Sequence, residues 1–148
     1  MSYYRKLKAL IPSSEWKEFL SQLLNKISTE DSFLFNHSVI ADIYVAEKEA
    51  DKLFEIIMSH GRPNLERLNS YAKYTGKHHA KELLDTYERL LKSEAKKNVN
   101  VKAYHRIAEA MSCMCLLHDG KQAAHQLAEF FRQEYPRRPK MMEEIKEF

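Results

Sequence analysis

Two cysteines and a histidine lie close enough in sequence to suggest a metal site: Cys113, Cys115 and His118. Thiolate and imidazole are ligands that zinc prefers, and a structural zinc site needs four of them. The surrounding residues have helical periodicity, so the two cysteine side chains point about 200° apart on one helix. That separation disfavours a disulfide as well as a shared ion. We therefore predict two reduced cysteines, no metal site and no cofactor.

The other histidines offer no clearer chemistry. His78 and His79 are adjacent, and adjacent helical positions point about 100° apart, so we interpret the pair as a solvated helix start. His105 has no carboxylate or nucleophile at a spacing suited to general acid–base catalysis. The sequence also contains no phosphate-binding loop, nucleophile elbow or His-Glu-x-x-His motif. These observations predict a protein that is not an enzyme.

Basic residues gather at the ends of several predicted helices and suggest nucleic-acid contact. The C-terminal cluster consists of Arg132, Arg137, Arg138 and Lys140. Such a cluster could hold a phosphate backbone, with an affinity that falls as the salt concentration rises. The alternative is that these cations only complement the negative end of a helix dipole. We favour the alternative because three acidic residues follow the cluster: Glu143, Glu144 and Glu147.

Aromatic and amphipathic side chains suggest a second kind of site, a groove for a protein or peptide partner. The positions best able to line it are Tyr71, Tyr74, Tyr87, Tyr104 and His105. Aromatic side chains often dominate the binding energy of protein interfaces. The same residue types at helical spacing also suit a hydrophobic core, so we expect about half of the five to be packing residues.

The length, composition and net charge of the chain limit the class of protein to which it can belong. Its 148 residues are 44% hydrophobic and 30% charged, which is ordinary for a globular protein and excludes a disordered one. The formal net charge of +3 is smaller than a dedicated nucleic-acid binder usually has. No apolar run approaches the roughly 20 residues that span a bilayer, and no apolar signal core follows Met1. We expect a cytoplasmic protein with no membrane partner.

The elements that carry these residues are predicted to be helices folded back on one another. Between Tyr71 and Leu91, apolar residues recur at helical spacing on both sides of a break at Thr75-Gly76-Lys77. A glycine at that point suits a tight reversal of the chain. Weaker copies of the pattern surround Ala50-x-x-Leu53 and Ala124-x-x-Leu127, which indicates a row of helical hairpins.

Individual helix boundaries follow from capping and breaking residues. Trp16 begins the most regular apolar stripe and is predicted to be buried between the opening helices. Asp31 and Asn100 are predicted N-caps, and Gly61 is a predicted break. Asn98 is predicted to end the preceding helix in a left-handed conformation.

These patterns predict an all-α fold of antiparallel helical hairpins stacked as an α–α superhelix, similar to a tetratricopeptide array. We expect eight or nine helices in a single domain over residues 1–148. The helix from Lys140 carries charged residues off its apolar stripe and suits a terminal cap. The first helix has a wider apolar surface than so short an element can bury, and we predict a weak homodimer through it. The residues assigned to that contact are Tyr4, Leu7 and Ile11.

Three fragments form a more specific pattern. They are Ile43-Tyr44-x-x-Glu47-Lys48 with Asp51-Lys52-Leu53-Phe54, then Asn98-Val99 ahead of Tyr104, and finally Tyr135-Pro136-Arg137-Arg138-Pro139 with Met142 and Glu143. In this order the chain resembles the helical C-terminal region of bacterial SWIM zinc-finger proteins over roughly residues 1–148. The resemblance implies a helical module of a longer protein or a stand-alone relative.

The zinc signature of that family, Cys-x-Cys followed by Cys-x-His, is not complete in this chain. Cys113-Met114-Cys115 supplies only its first half. The zinc and nucleic-acid functions that the signature implies therefore do not carry over.

We expect a non-enzymatic scaffold that binds a protein partner, and the alternative is a nucleic-acid-associated module that uses basic helix ends. The distribution of charge separates the two hypotheses. Mixed charge around an apolar groove favours a protein partner, whereas one continuous basic face favours nucleic acid.

Overall fold

The computed structural model describes residues 2–29, 33–59 and 63–148, and these ranges form nine α-helices and no strand. The helices are α1 Ser2–Leu10, α2 Ser13–Thr29, α3 Phe33–Glu47, α4 Ala50–Met58, α5 Leu65–Tyr71, α6 Ala80–Lys97, α7 Val101–Met114, α8 Gly120–Glu134 and α9 Pro139–Glu144. Two 3₁₀ turns, Ala72–Tyr74 and Lys77–His79, separate α5 from α6. The predicted all-α class is confirmed. The predicted cap Asp31 and the predicted break Gly61 lie outside the described residues.

The chain divides into two compact units, Met1–Lys48 and Glu49–Phe148. We call them unit 1, which contains α1 to α3, and unit 2, which contains α4 to α9. Each has its own buried residues. A single domain over residues 1–148 stays a prediction.

The core of unit 1 forms around Trp16 of α2. Its indole ring meets the ring of Tyr4 edge-on, with 5.6 Å between centroids, and both side chains are buried together with Ile43 of α3. Partly buried apolar residues pack around these three: Ile11, Phe19, Leu20, Leu24, Ile27 and Val39. The prediction that Trp16 is buried between the opening helices is confirmed.

A carboxylate at the end of α3 connects all three helices of unit 1. Glu47 accepts hydrogen bonds from the hydroxyl of Tyr4, from Nζ of Lys8 at 2.6 Å and from Nε1 of Trp16 at 3.4 Å. Burial alone would raise the pKa of Glu47, but these hydrogen bonds and the charge of Lys8 outweigh it and lower the pKa. Burial, together with the hydrogen bond to Glu47, raises the pKa of Tyr4. No local pattern predicts this cluster, since Glu47 is distant in sequence from its three donors.

In unit 2 the long helix α6 has a continuous buried face. Its buried residues are Ala80, Leu83, Leu84, Thr86, Tyr87, Leu91 and Ala95. Along the chain, α6 contacts α5, α7 and α8, while α7 contacts α5, α8 and α9. The α9 helix covers α7 through Met141, and Ile145 just beyond it is also fully buried. From α5 to α7, each helix therefore packs against the next helix and against the one after that.

Two turns of unit 2 depend on glycine for different reasons. Gly76 has φ 77°, a backbone conformation that residues with a Cβ rarely adopt, and it lies in the break between α5 and α6 that was predicted at that residue. Gly120 begins α8, where an added Cβ would lie 1.7 Å from the carbonyl oxygen of Met114. The close approach of α7 and α8 therefore requires glycine at position 120.

The cap predictions in unit 2 had opposite outcomes. The Asn100 side chain accepts a hydrogen bond from the backbone N–H of Ala103 at 2.9 Å, so the predicted N-cap of α7 is confirmed. The left-handed end predicted at Asn98 is wrong, because Asn98 is extended with φ −121° and ψ 114°. Extended backbone at Asn98 carries the chain on to Asn100 without a tight turn.

In the ranges that the structure covers, no helix combines the length and apolar character that crossing a bilayer requires.

Candidate functional site

The five positions predicted to line a partner groove divide between core and surface. Tyr87 is fully buried and Tyr104 is nearly so, whereas Tyr71 is half-buried and Tyr74 and His105 are exposed. The assignment of Tyr87 to a partner groove is therefore wrong, because α6 turns its ring into the core of unit 2. The ammonium of Lys73 lies 5.0 Å above the Tyr74 ring, and His105 Nδ1 lies 3.4 Å from Glu144.

Cysteine and histidine do not assemble a ligand set in unit 2. Cys113 and Cys115 are free and half-buried, and burial raises the pKa of both thiols. His118 lies in the turn before α8, 2.9 Å from Asp119, while Nδ1 of His125 within α8 lies 2.7 Å from the Phe148 carbonyl oxygen. Within the described ranges, no group of three or more His, Cys, Asp and Glu side chains could hold a metal ion.

His79 is a packed residue and not part of the solvated helix start that we predicted. Its ring stacks on Phe54 of α4 with 4.0 Å between centroids and 8° between planes. Its Nε2 lies 2.8 Å from Asp51, and only 20% of the side chain is exposed. The turn before α6 is thereby fastened to α4. Neither contact has a local signal in the sequence, because α4 and His79 are far apart along the chain.

The four basic residues predicted to contact nucleic acid do not form one cluster in the structure. Arg132 donates to Glu129 on its own helix and to the Ile145 carbonyl oxygen at 3.3 Å. Arg138 donates to the Ala95 carbonyl oxygen at 2.6 Å. Arg137, Arg138 and Lys140 line one pocket, and Arg132 is not among the residues that line it.

The first helix exposes a different stripe from the one predicted to self-associate. Tyr4 is buried against Trp16 and Ile11 packs on the same core, so assigning them to an exposed contact is wrong. Leu7 is partly exposed, whereas Tyr3 and Leu10 are 83% and 80% exposed. Positions 3, 7 and 10 share one face of a helix, and that face of α1 points away from its core.

A groove of about 310 Å³ lies between α6 and the beginning of α8. We call it the α6–α8 groove. Apolar side chains of Ala80, Leu84 and Ala123 contribute to its lining. Its polar lining comes from Lys77, Lys81, Asp85 and Glu88 on one side and from His118, Asp119, Gln122 and Gln126 on the other. The predicted groove tyrosines are not among these residues, and the small alanines are the sequence feature that could have indicated it.

The charge on the α6 side of this groove changes from positive to negative along the chain. Lys77 lies in the 3₁₀ turn before α6 and Lys81 in the first turn of α6, while Asp85 and Glu88 follow one and two turns after Lys81. From Lys81 to Glu88 the helix rises about 10 Å. Glu88 accepts a hydrogen bond from Lys92 at 2.5 Å. Lys77, Lys81 and Asp85 have no oppositely charged partner among the residues that the structure describes.

No known protein family matches the chain, and neither does any curated protein or solved structure.

Proposed function

We propose that the chain is a non-enzymatic helical scaffold in the cytoplasm and that its α6–α8 groove binds a segment of a partner protein. The observation that carries the proposal is mixed charge around apolar side chains in a single groove. Amphipathic segments bind such grooves with their apolar face, while polar contacts at the edges set the orientation.

The order of charges along the α6 side of the groove indicates which charges the partner segment would carry. A carboxylate opposite Lys77 and Lys81, and a basic side chain opposite Asp85, would pair with charges that have no partner within the described part of the chain. From Lys81 to Asp85 the helix rises about 6 Å, so the two partner charges would be about one helical turn apart. Reversed binding would place like charges together, so the charge order favours one orientation.

The stacked-hairpin architecture belongs to the same proposal. Contacts of α5 with α7, α6 with α8 and α7 with α9 support it, because stacking consecutive hairpins brings each helix against the helix after next. In a stack of this kind, neighbouring helices on one face leave a groove between them. The contact between α6 and α8 beside the α6–α8 groove supports this arrangement.

We also propose that the chain is a module of a SWIM-like bacterial protein or a stand-alone relative. The Tyr135-Pro136-Arg137-Arg138-Pro139 stretch, which carries the resemblance, forms the link from α8 to α9. The Arg138 guanidinium lies 3.9 Å from the centroid of the Tyr135 ring and also binds the end of α6. Within this motif those two residues hold the link in place. The sequence of the complete gene tests the proposal, since the full Cys-x-Cys and Cys-x-His signature beside this region would support it.

Photo-crosslinking in the cells that naturally produce the protein tests the groove. A photoreactive residue replaces Gln122, which lines the groove, or Glu82, which lies on α6 and does not line it. We expect one recurrent protein adduct from position 122 and none of that species from position 82. The same adduct from both positions, or only nucleic-acid adducts, would contradict the proposal.

Nucleic-acid binding through Arg132, Arg137, Arg138 and Lys140 is the alternative function. Its support is weaker because Arg132 and Arg138 already bind groups of the chain itself. Arg137 and Lys140 are the two members of the set without such a partner in the described part of the chain.

A further inference from the structure

A second pocket lies where the loop between α6 and α7 meets the link between α8 and α9. Its volume is about 380 Å³, within the range of ligand-binding pockets. The residues that line it are Val99, Asn100, Val101, Tyr104, Arg137, Arg138, Pro139 and Lys140. We call it the basic pocket. It shares no lining residue with the α6–α8 groove.

Two valines that line the basic pocket are exposed to solvent. Val99 is 63% exposed and Val101 is 47% exposed, although valine is among the residues most often buried. Pro139 lies beside them, and the nearly buried Tyr104 also lines the pocket. An aliphatic side chain of a ligand would cover both valines and gain the free energy of removing them from water.

The charged side chains that line the basic pocket are all positive. Arg137 and Lys140 are exposed cations with no carboxylate partner among the described residues, and no carboxylate lines the pocket. Further exposed lysines flank the loop in sequence: Lys96, Lys97 and Lys102. Charge complementarity therefore favours an anionic ligand.

Arg138 has a different part in the pocket from its neighbour Arg137. Its guanidinium is held by the Ala95 carbonyl oxygen at 2.6 Å and by the face of Tyr135. These contacts fasten the α8–α9 link to the end of α6 and so set the position of Arg137 and Lys140. Arg138 is a positioning residue, and the two exposed cations are the ones free to meet a ligand.

We propose that the basic pocket binds an acidic segment of a partner protein in which carboxylates flank one aliphatic side chain. The carboxylates meet Arg137 and Lys140, and the aliphatic side chain covers Val99 and Val101. The unpaired cations favour an anionic ligand, and the exposed valines favour a ligand that also carries an aliphatic side chain.

A single-stranded nucleic acid fits the same charge less well. Non-specific binding of single strands combines cations with exposed aromatic faces on which bases stack. The Tyr104 ring is nearly buried, and Arg138 covers a face of Tyr135. The pocket therefore offers cations and aliphatic surface, which match an acidic peptide.

Fluorescence anisotropy of labelled probes against the full chain tests the proposal. The first probe is a short peptide in which aspartates flank one leucine, the second has serine in place of leucine, and the third has lysine in place of aspartate. A single-stranded DNA oligonucleotide is the fourth. We expect the first peptide to bind, the serine peptide to bind about tenfold more weakly and the lysine peptide not to bind, because both charge and anchor contribute.

Two double variants with the same change in net charge show where the probe binds. Arg137→Glu with Lys140→Glu changes the pocket, and Lys121→Glu with Lys146→Glu changes exposed lysines outside it. The pocket variant should lose at least about tenfold in affinity, while the control should stay within about twofold. Circular dichroism melts establish that both variants are folded.

Three results would overturn the proposal: no binding of the first peptide, equal loss in the two double variants, or a leucine-to-serine change without effect. Tighter binding of the oligonucleotide that is lost in the pocket variant and falls steeply between about 50 and 200 mM salt would assign the pocket to nucleic acid. The basic pocket and the α6–α8 groove share no lining residue, and Asp85 belongs to the groove alone. A negative result at the basic pocket therefore does not contradict the groove proposal, which the crosslinking experiment tests separately.

Discussion

Tyr4 and Tyr87 are both buried, but their hydroxyl groups have different surroundings. The Tyr4 hydroxyl donates to the carboxylate of Glu47, while the Tyr87 hydroxyl has no hydrogen-bond partner among the described residues. A buried polar group without a partner costs the desolvation that a hydrogen bond would have offset. The same chemical change at the two positions should therefore have opposite effects.

We predict that Tyr87→Phe leaves the free energy of unfolding unchanged or raises it by about 1 kcal/mol, since only an unpartnered hydroxyl is removed. Tyr4→Phe should lower it by about 1 to 2 kcal/mol, because a bond to a charged acceptor is lost. Urea unfolding of both variants, followed by circular dichroism and by Trp16 fluorescence, measures the difference. Equal destabilisation by the two substitutions would mean that the Tyr87 hydroxyl has a partner in solution.

Gly120→Ala should be among the most destabilising small substitutions in the chain. The new Cβ would lie 1.7 Å from the Met114 carbonyl oxygen, so α7 and α8 would have to separate. Overpacking of this kind costs about 3 kcal/mol or more when backbone must move. Lys121→Ala, at the exposed neighbouring position, is the control and should change the melting temperature little. A Gly120→Ala variant as stable as the control would contradict the close approach of the two helices.

Some residue roles could be predicted from the sequence, and others depend on contacts between distant segments. Trp16 and Asn100 were predicted correctly because stripe spacing and helix capping are local properties. The positions of His79 and Glu47 were not predictable, since their partners lie 25 to 43 residues away. Charged and polar residues in such places reveal their role only through the tertiary structure.

At the scale of elements, Glu47 fastens α1 and α2 to the end of α3. Its pKa is lowered in the folded state, so its contribution to stability is complete above the ordinary carboxyl pKa of about 4.3. That contribution is lost as the pH falls through the lowered value. The groups that face the carboxylate are Tyr4 and Lys8 on α1 and Trp16 on α2.

We predict that the free energy of unfolding of unit 1 falls as the pH drops below about 4.3, and that Glu47→Gln removes this part of the pH dependence. Trp16 fluorescence during urea unfolding at a series of pH values gives the measurement. Glu18→Gln, on the exposed side of α2, is the matched control and should retain the slope. The same pH dependence in Glu47→Gln as in the unchanged chain would refute the role of this carboxylate.

The exposed stripe of α1 predicts weak self-association through Tyr3, Leu7 and Leu10 in place of the contact first assigned to Tyr4, Leu7 and Ile11. Three side chains offer only a few hundred Å², whereas a stable interface buries about 800 Å² on each partner. Light scattering should show association only at high concentration, and Leu10→Glu should abolish it. Gln22→Glu adds the same charge on α2 and should leave association intact. A chain that stays monomeric at every concentration would contradict this prediction.

Element boundaries show where local patterns suffice. The breaks at Gly76 and Pro136 and the start of α9 at Pro139 could be placed from residue type, because glycine and proline restrict the backbone directly. The buried face of α7 is harder to place: Val101 is apolar but half exposed, while Ile107 is fully buried. Which face is covered depends on how α5, α6, α8 and α9 surround the helix, and periodicity alone does not specify that.

At the scale of the whole molecule, the two proposed binding sites lie in unit 2 and differ in chemistry. The α6–α8 groove has mixed charge and the basic pocket has positive charge, so each would select a different partner segment under the two proposals. The sequence predicted helices, hairpins and a protein partner, but it assigned the contact to tyrosines. Alanines of α6 and α8 form part of the groove, and residues from two loops and from the helices α7 and α9 that follow them form the pocket. Both arrangements follow from helix packing and have no counterpart in the spacing of aromatic residues.

The most direct test of the scaffold proposal measures how the yield of the Gln122 crosslink depends on groove charge. Asp85→Lys reverses a charge that lines the groove, and Glu82→Lys makes the same change on the same helix outside it. We predict that Asp85→Lys lowers the yield of the recurrent partner adduct about tenfold, because a basic partner group would face a new cation. Glu82→Lys should leave the yield unchanged. Equal yields in the two variants would contradict binding of a partner protein in the α6–α8 groove.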